Sequence, residues 1–172
     1  MSGDRAAVAR TGPLVIRPVD AAEHQAVADL IVSVYADVLG GTLTEAYKAH
    51  LADVASRAEE AVVLVAVLDT LVGSVTYVPG LGRYAEFEAD DEAGIRMLVV
   101  APDRQRLGIG SALMQVCIDR ARAEGRSRLS LHTTPMMAAA HHLYDSLGFR
   151  RAPERDWVPE PGVQLLGYVL DL

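Results

Sequence analysis

The stretch Met97-Leu98-Val99-Val100-Ala101-Pro102-Asp103-Arg104-Gln105-Arg106-Leu107-Gly108-Ile109-Gly110-Ser111 constrains this chain more than any other. An apolar run stopped by Ala-Pro-Asp reads as the end of a strand, and the apolar spacing beyond Gly110 reads as a helix. Two arginines and two glycines lie at the junction. Glycine admits backbone conformations closed to other residues and lets a ligand approach closely. A helix start offers unpaired N–H groups and the positive end of its dipole, a suitable seat for a pyrophosphate. Arg104 and Arg106 can add charge-assisted bonds to phosphate oxygens. Taken alone, a Gly-x-Gly turn fits a tight strand-to-helix connection equally well. The dinucleotide and P-loop patterns both fail, for lack of a third glycine at the correct spacing and of any Gly-Lys-Ser/Thr.

The rest of the chain supplies alternating strands and helices. Strands are expected over 14–17, 61–68, 72–78, 95–100, 129–133 and 165–170, and helices over 21–35, from Thr44 onward, over 110–124 and over 135–147. Thr44 is the expected cap of the second helix, and Pro135 opens the last one where its missing N–H costs nothing. Asp69-Thr70 is a tight turn. The connection 79–93 carries Glu86, Glu88, Asp90, Asp91 and Glu92, read as a solvated loop, or else as a mouth that attracts a cationic amine. Residues 1–13 read as a loose leader and 14–172 as one mixed α/β domain.

Composition removes several classes of function. A net charge of −7 argues against a nucleic-acid or anionic-membrane binder, which needs clustered Lys and Arg. No stretch approaches the roughly 20 apolar residues of a membrane span, and the first residues lack the apolar core of a secretion signal. A cytoplasmic protein is the expectation. Cys117, the single cysteine, excludes an internal disulfide and a cysteine cluster, and its helical spacing from Leu113 marks a buried thiol. His141 and His142 are adjacent on a helix and point apart, so no metal site is expected.

A second segment makes the glycine turn part of a pair. After Gln105-x-x-Gly108-x-Gly110 come a strand, Leu129-Ser130-Leu131-His132, and a helix ending Leu143-Tyr144-Asp145-Ser146-Leu147-Gly148-Phe149. Together these resemble the acyl-CoA-binding signature and the closing aliphatic-Tyr-x-x-x-Gly-Phe motif of the GCN5-related N-acetyltransferases, the GNAT family. The two motifs cover residues 95–150, about a third of the chain, in the family's order. The resemblance implies a mostly antiparallel twisted sheet flanked by helices, with splayed central strands. It also implies transfer of an acetyl group from acetyl-CoA to a primary amine, by direct attack in a ternary complex and without a metal.

Site residues follow from the same resemblance. The backbone of Leu98, Val99 and Val100 would pair with the pantetheine arm. Gln105, Arg106, Leu107, Gly108, Ile109, Gly110 and Ser111 would form the pyrophosphate loop. Tyr144 would protonate the departing CoA thiolate, since a phenol of ordinary pKa, roughly 10, is protonated at neutral pH. On residue type alone, Tyr144 reads as a packed helix aromatic.

The sequence departs from the family at three places. Histone-acetylating members carry a carboxylate early in the motif strand, where this chain has Gly94, with Asp91 and Glu92 nearby. Members that act on protein N-termini carry a glutamate one strand later. Here that place holds His132, either a base near pH 7 or a polar strand-end residue. An asparagine that bonds the pantetheine arm in some members is replaced by Met137, which can line an apolar wall. Motifs for fold and cofactor do not specify the acceptor. A small-molecule amine is the leading expectation, with a protein acetyltransferase and a non-catalytic acyl-CoA-binding module as alternatives, and a homodimer as a candidate assembly.

Overall fold

Valine-rich runs pair to form the middle of one sheet: β2 (Val62–Val67), β3 (Leu71–Val78) and β4 (Glu92–Val100). The computed structural model describes residues 12–41 and 43–172, so most of the expected leader, 1–11, lies outside the described residues. β1 (Val15–Pro18) pairs with β2, while β5 (Arg128–Thr133), β8 (Val163–Asp171) and β6 (Arg150–Arg151) continue beyond β4. The order is β1-β2-β3-β4-β5-β8-β6, and β7 (Trp157–Glu160) pairs with β8. β4 and β5 run parallel and the other described pairs antiparallel, the mostly antiparallel α/β architecture expected. β6 and β7 escape sequence reading because a two-residue strand and one interrupted by Pro159 show no alternation.

Alternation along β2 divides the core. Val63 and Val65 face one side, with Val27, Ile31, Leu51 and Val54 from α1 (His24–Val38), α2 (Glu45–Ala52) and α3 (Val54–Glu60). Leu64 and Ala66 face the other side, with Leu113, Met114 and Cys117 from α4 (Ile109–Ala123) and Tyr144 from α5 (Ala138–Ser146). Each fully buried Val or Leu contributes about 1.5–3 kcal/mol. Cys117 is the buried thiol expected, its pKa pushed up to about 12 by burial, which leaves it unreactive.

Helix ends follow local chemistry. The Thr44 hydroxyl caps α2, accepting the Tyr47 N–H at 3.2 Å. The helix expected from Thr44 is in fact two, because Asp53 leaves helical geometry and its carboxylate caps α3 by accepting the Ser56 N–H. The buried Arg57 guanidinium then donates to the carbonyls of His50 and Leu51 at the end of α2, at 2.9 and 2.8 Å. Pro135 does not open the last helix. It sits in a turn where the Thr134 carbonyl accepts from Met137 N–H and from His141 Nε2, and α5 begins at Ala138.

Candidate active site

The site begins where two strands separate. β4 pairs with β5 from Glu92↔Arg128 to Ile95↔Leu131, and the described pairing stops there. Just beyond, the β3–β4 register shifts between Ser74 and Thr76, and Met97 takes a left-handed backbone, φ 53°. An extra residue in one strand bends it and increases its twist. The bulge at Met97 thus turns residues 98–100 away from β5. Leu98, Val99 and Val100 keep β3 on one side, with Val99 opposite Ser74 and Val100 opposite Gly73. Their other edge faces the gap, where the Val100 carbonyl accepts a long 3.4 Å bond from Gln105 Nε2.

The glycine turn closes one end of this gap. Arg106 and Gly108 both have positive φ, 62° and 77°, and Gly108 stands immediately before α4 without a side-chain cap. The first N–H groups of α4, at Ile109, Gly110 and Ser111, therefore keep their donor capacity. A Cβ on Gly110 would approach Leu143 at 3.3 Å and Val100 at 3.6 Å, so the backbone is held against both walls of the gap. Arg106 is exposed, whereas Arg104 is half-buried beside Asp103 and Asp69. Among the described residues, a strand edge without a partner strand, uncapped helix N–H groups and an exposed arginine form a set of donors and acceptors that fits a pantetheine arm and its pyrophosphate.

A cleft of about 990 Å³ opens at the same seam, lined by β4, the end of β5, α1, α2, the β3–β4 connection and the β7–β8 hairpin. Met137 is among the residues lining it. The buried hydroxyls of Thr133 and Thr134 also border it and find no protein partner among the described residues. Within the cleft His132 is held from two sides. Its Nε2 lies 2.8 Å from the Arg155 carbonyl and its Nδ1 3.1 Å from Glu86 Oε2. Both partners are acceptors, so both ring nitrogens donate when the ring is an imidazolium. Burial alone would lower the His132 pKa. The bonds to Glu86 and to the Arg155 carbonyl, with the attraction of Glu86, outweigh it, and the pKa is raised.

Glu86 was legible in the sequence only as one of several loop acids. Burial pushes its pKa up, but the bond from His132 and the attraction of Arg96, 3.2 Å away, hold it below the usual carboxylate range. Glu88, Asp90 and Asp91 match the expected solvated loop, while Glu86 and Glu92 turn inward. A Cβ at Gly94 would press on the Phe87 ring at 2.8 Å, so the space of the missing carboxylate is already filled.

Glu92 lies on the same face of β4 as Arg96, covered by the cleft-lining Arg155, and is 3% exposed. Arg155 grips it with two bonds of 2.7 Å, and the Ser130 hydroxyl donates to it at 2.8 Å. Burial favours the neutral acid, yet the bonds from Arg155 and Ser130 prevail and its pKa is lowered. Glu92 is thus a structural anchor for the turn Pro153–Arg155, whose last carbonyl holds His132.

Tyr144 sits on the α4–α5 side of the sheet, 5% exposed, with Phe149 and Tyr168 packed on its ring at 5.9 and 5.8 Å. Burial and then Tyr168 raise its pKa, keeping the phenol protonated. Tyr144 belongs to the core beneath α4 and α5 and is not among the residues lining the cleft. The turn and the gap thus meet at one strand separation, where Gly110 lies against Val100 and Leu143, while His132 lines the cleft.

The pattern of the acetyltransferase (GNAT) family matches residues 26–149. The chain belongs to this family. Among solved structures, a GNAT acetyltransferase from Staphylococcus aureus Mu50 superposes with a TM-score of 0.76 at 14% identity, covering 93% of this chain and 99% of that one. yncA from Salmonella typhimurium, solved with its cofactor acetyl-CoA, superposes with a TM-score of 0.67 at 23% identity, covering 94% and 95%. The GNAT fold expected from the motifs is the one observed. Over 65 residues, 38% of this chain, the sequence is 43% identical to the ribosomal protein bS18-alanine N-acetyltransferase of Escherichia coli K12. Over 86 residues, half of this chain, it is 37% identical to N-acetylaspartate synthetase of Danio rerio. These matches span 44% and 30% of the relatives' own lengths.

Proposed function

We propose that this GNAT protein is an N-acetyltransferase that moves the acetyl group of acetyl-CoA to a primary amine held in the 990 Å³ cleft. The observation that carries the reading is the parting of β4 from β5 after Ile95, beside the uncapped start of α4 and opening into that cleft. The thioester co-substrate supplies an activated acetyl carbonyl. The chain supplies the rest. The β4 edge at Leu98, Val99 and Val100 and the loop Gln105, Arg106, Leu107, Gly108, Ile109, Gly110 and Ser111 bind and orient it, with Met137 as an apolar wall. Orienting both substrates in one cleft can provide much of the acceleration.

The amine nitrogen forms the new C–N bond as the C–S bond breaks, and Tyr144 gives its proton to the departing thiolate. Of the cleft carboxylates Glu86, Glu88, Glu154 and Asp156, Glu86 is the one bonded to His132; it retains lone pairs beyond those engaged by Arg96 and His132 and can pass the amine's proton to solvent. In this reading His132 acts as an imidazolium that fixes Glu86 rather than as the base. The cleft volume suits a small-molecule amine. A protein α-amine is the second reading, favoured by the bS18-alanine-acetylating relative.

The deciding experiment incubates purified protein and acetyl-CoA with a panel of small amines and N-terminal peptides, following release of free CoA. Amine-dependent release identifies the enzyme and its acceptor class. Tight acetyl-CoA binding without release for any amine would leave a non-catalytic binding module.

A further inference from the structure

The cleft combines a polar floor with aromatic sides. Glu86, Arg96 and His132 meet deep within it, their side chains 21, 17 and 5% exposed. From α1, which packs on β3 and β4, and α2, which packs on α1, Tyr35 and Tyr47 stand edge to face at 6.4 Å, and Tyr47 stacks on His50 at 6.3 Å. From the β7–β8 hairpin, across the β4–β5 seam, Trp157 meets His132 at 6.4 Å and 77°. Trp157 nevertheless remains 45% exposed. An indole buries about 150–250 Å² when covered, so this half-open face is contact area available to a ligand. Pro159, Val163 and Leu165 extend the same apolar side.

We infer that the acceptor is a primary amine carried on an aromatic body, its ring against Trp157 and its nitrogen toward Glu86. This rests on the acetyltransferase reading of the same cleft and adds the chemistry of the acceptor. A hydrophilic amine of equal charge satisfies the floor and leaves the aromatic sides unused. An aromatic one fills both. Trp157 is then the residue that selects the acceptor. A free arylalkylamine and the N-terminus of a peptide starting with an aromatic residue share this chemistry.

Trp157 is the chain's single tryptophan, so its fluorescence reports on the cleft whether or not turnover occurs. Titration with 2-phenylethylamine should change the emission saturably, and ethanolamine at equal concentration should leave it unchanged. With acetyl-CoA present, kcat/KM for 2-phenylethylamine should exceed that for ethanolamine by about 100-fold. Trp157→Ala should lower the first value about tenfold or more through KM and spare the second, while Trp157→Phe should retain most of the preference. A phenylalanine-initiated tripeptide, used as a third acceptor, assigns the source: a peptide amine if it is the better substrate, a free amine if it is the poorer. Unchanged emission with every amine, or an equal loss for both amines in Trp157→Ala, overturns the inference. A selective fluorescence response without acetylation of any amine keeps the aromatic-amine site and removes the catalytic reading instead.

Discussion

Tyr144 illustrates how packing can prepare a residue for the chemistry proposed for it. Its ring is a core member on α5, and the burial that stabilises it also holds its phenol protonated. Tyr144→Phe keeps the ring contacts and removes the proton. The expected result is a kcat lower by about 10²–10⁴-fold with acetyl-CoA affinity nearly unchanged. Steady-state rates with a competent amine, beside a calorimetric titration of acetyl-CoA, make the comparison, and an unaltered chemical step removes Tyr144 from the mechanism. The motif around Tyr144 made it legible in sequence. Glu86 was not, because a carboxylate in an irregular connection has no period to show which way it points.

At the scale of elements, the position of His132 in the cleft depends on how the turn Pro153–Arg155 is pinned to the sheet. Arg155 binds Glu92 of β4 and Ser130 of β5, and its own carbonyl reaches His132. Glu92→Gln leaves Arg155 without its counter-charge, and breaking a buried pair of this kind costs about 3 kcal/mol. Because the folded-state pKa of Glu92 is lowered, its contribution is fully present above the ordinary carboxylate range and is lost as pH falls through the folded value. Urea unfolding of both proteins should therefore show the large gap at neutral pH and a narrowing one as the solution becomes acidic. A gap independent of pH would mean that Glu92 acts through packing and not through charge. Both partners are readable as single residues, but they stand 63 positions apart and nothing local announces their meeting.

Across the whole molecule, the two cores are built on opposite faces of one sheet, and the proposed seat for acetyl-CoA lies where that sheet opens. A ligand that binds the folded chain alone stabilises it by mass action, by about 2.7 kcal/mol at a concentration 100 times its Kd. For a chain of this size that corresponds to a Tm rise of roughly 5–10 °C. Thermal unfolding with saturating acetyl-CoA should show this increase, and free CoA should give most of it if, as proposed, the loop before α4 addresses the phosphates. No shift with either compound would argue that the gap between β4 and β5 is not the binding seat.

The sequence by itself determined the alternation of strands and helices, the buried Cys117, the strand-turn-helix of the glycine loop and the place of Tyr144. Each of these is written in local spacing: two-residue alternation, helical periodicity, a glycine where φ must be positive. Tertiary structure alone decided where β4 leaves β5, because the Met97 bulge shows only against a partner strand. It also turned Glu86 inward, buried Glu92 on Arg155, gave His132 two acceptors and brought Trp157 of the last hairpin beside it. Those contacts join residues remote in sequence. Their energies come from desolvation and charge pairing, which do not exist until the chain has folded.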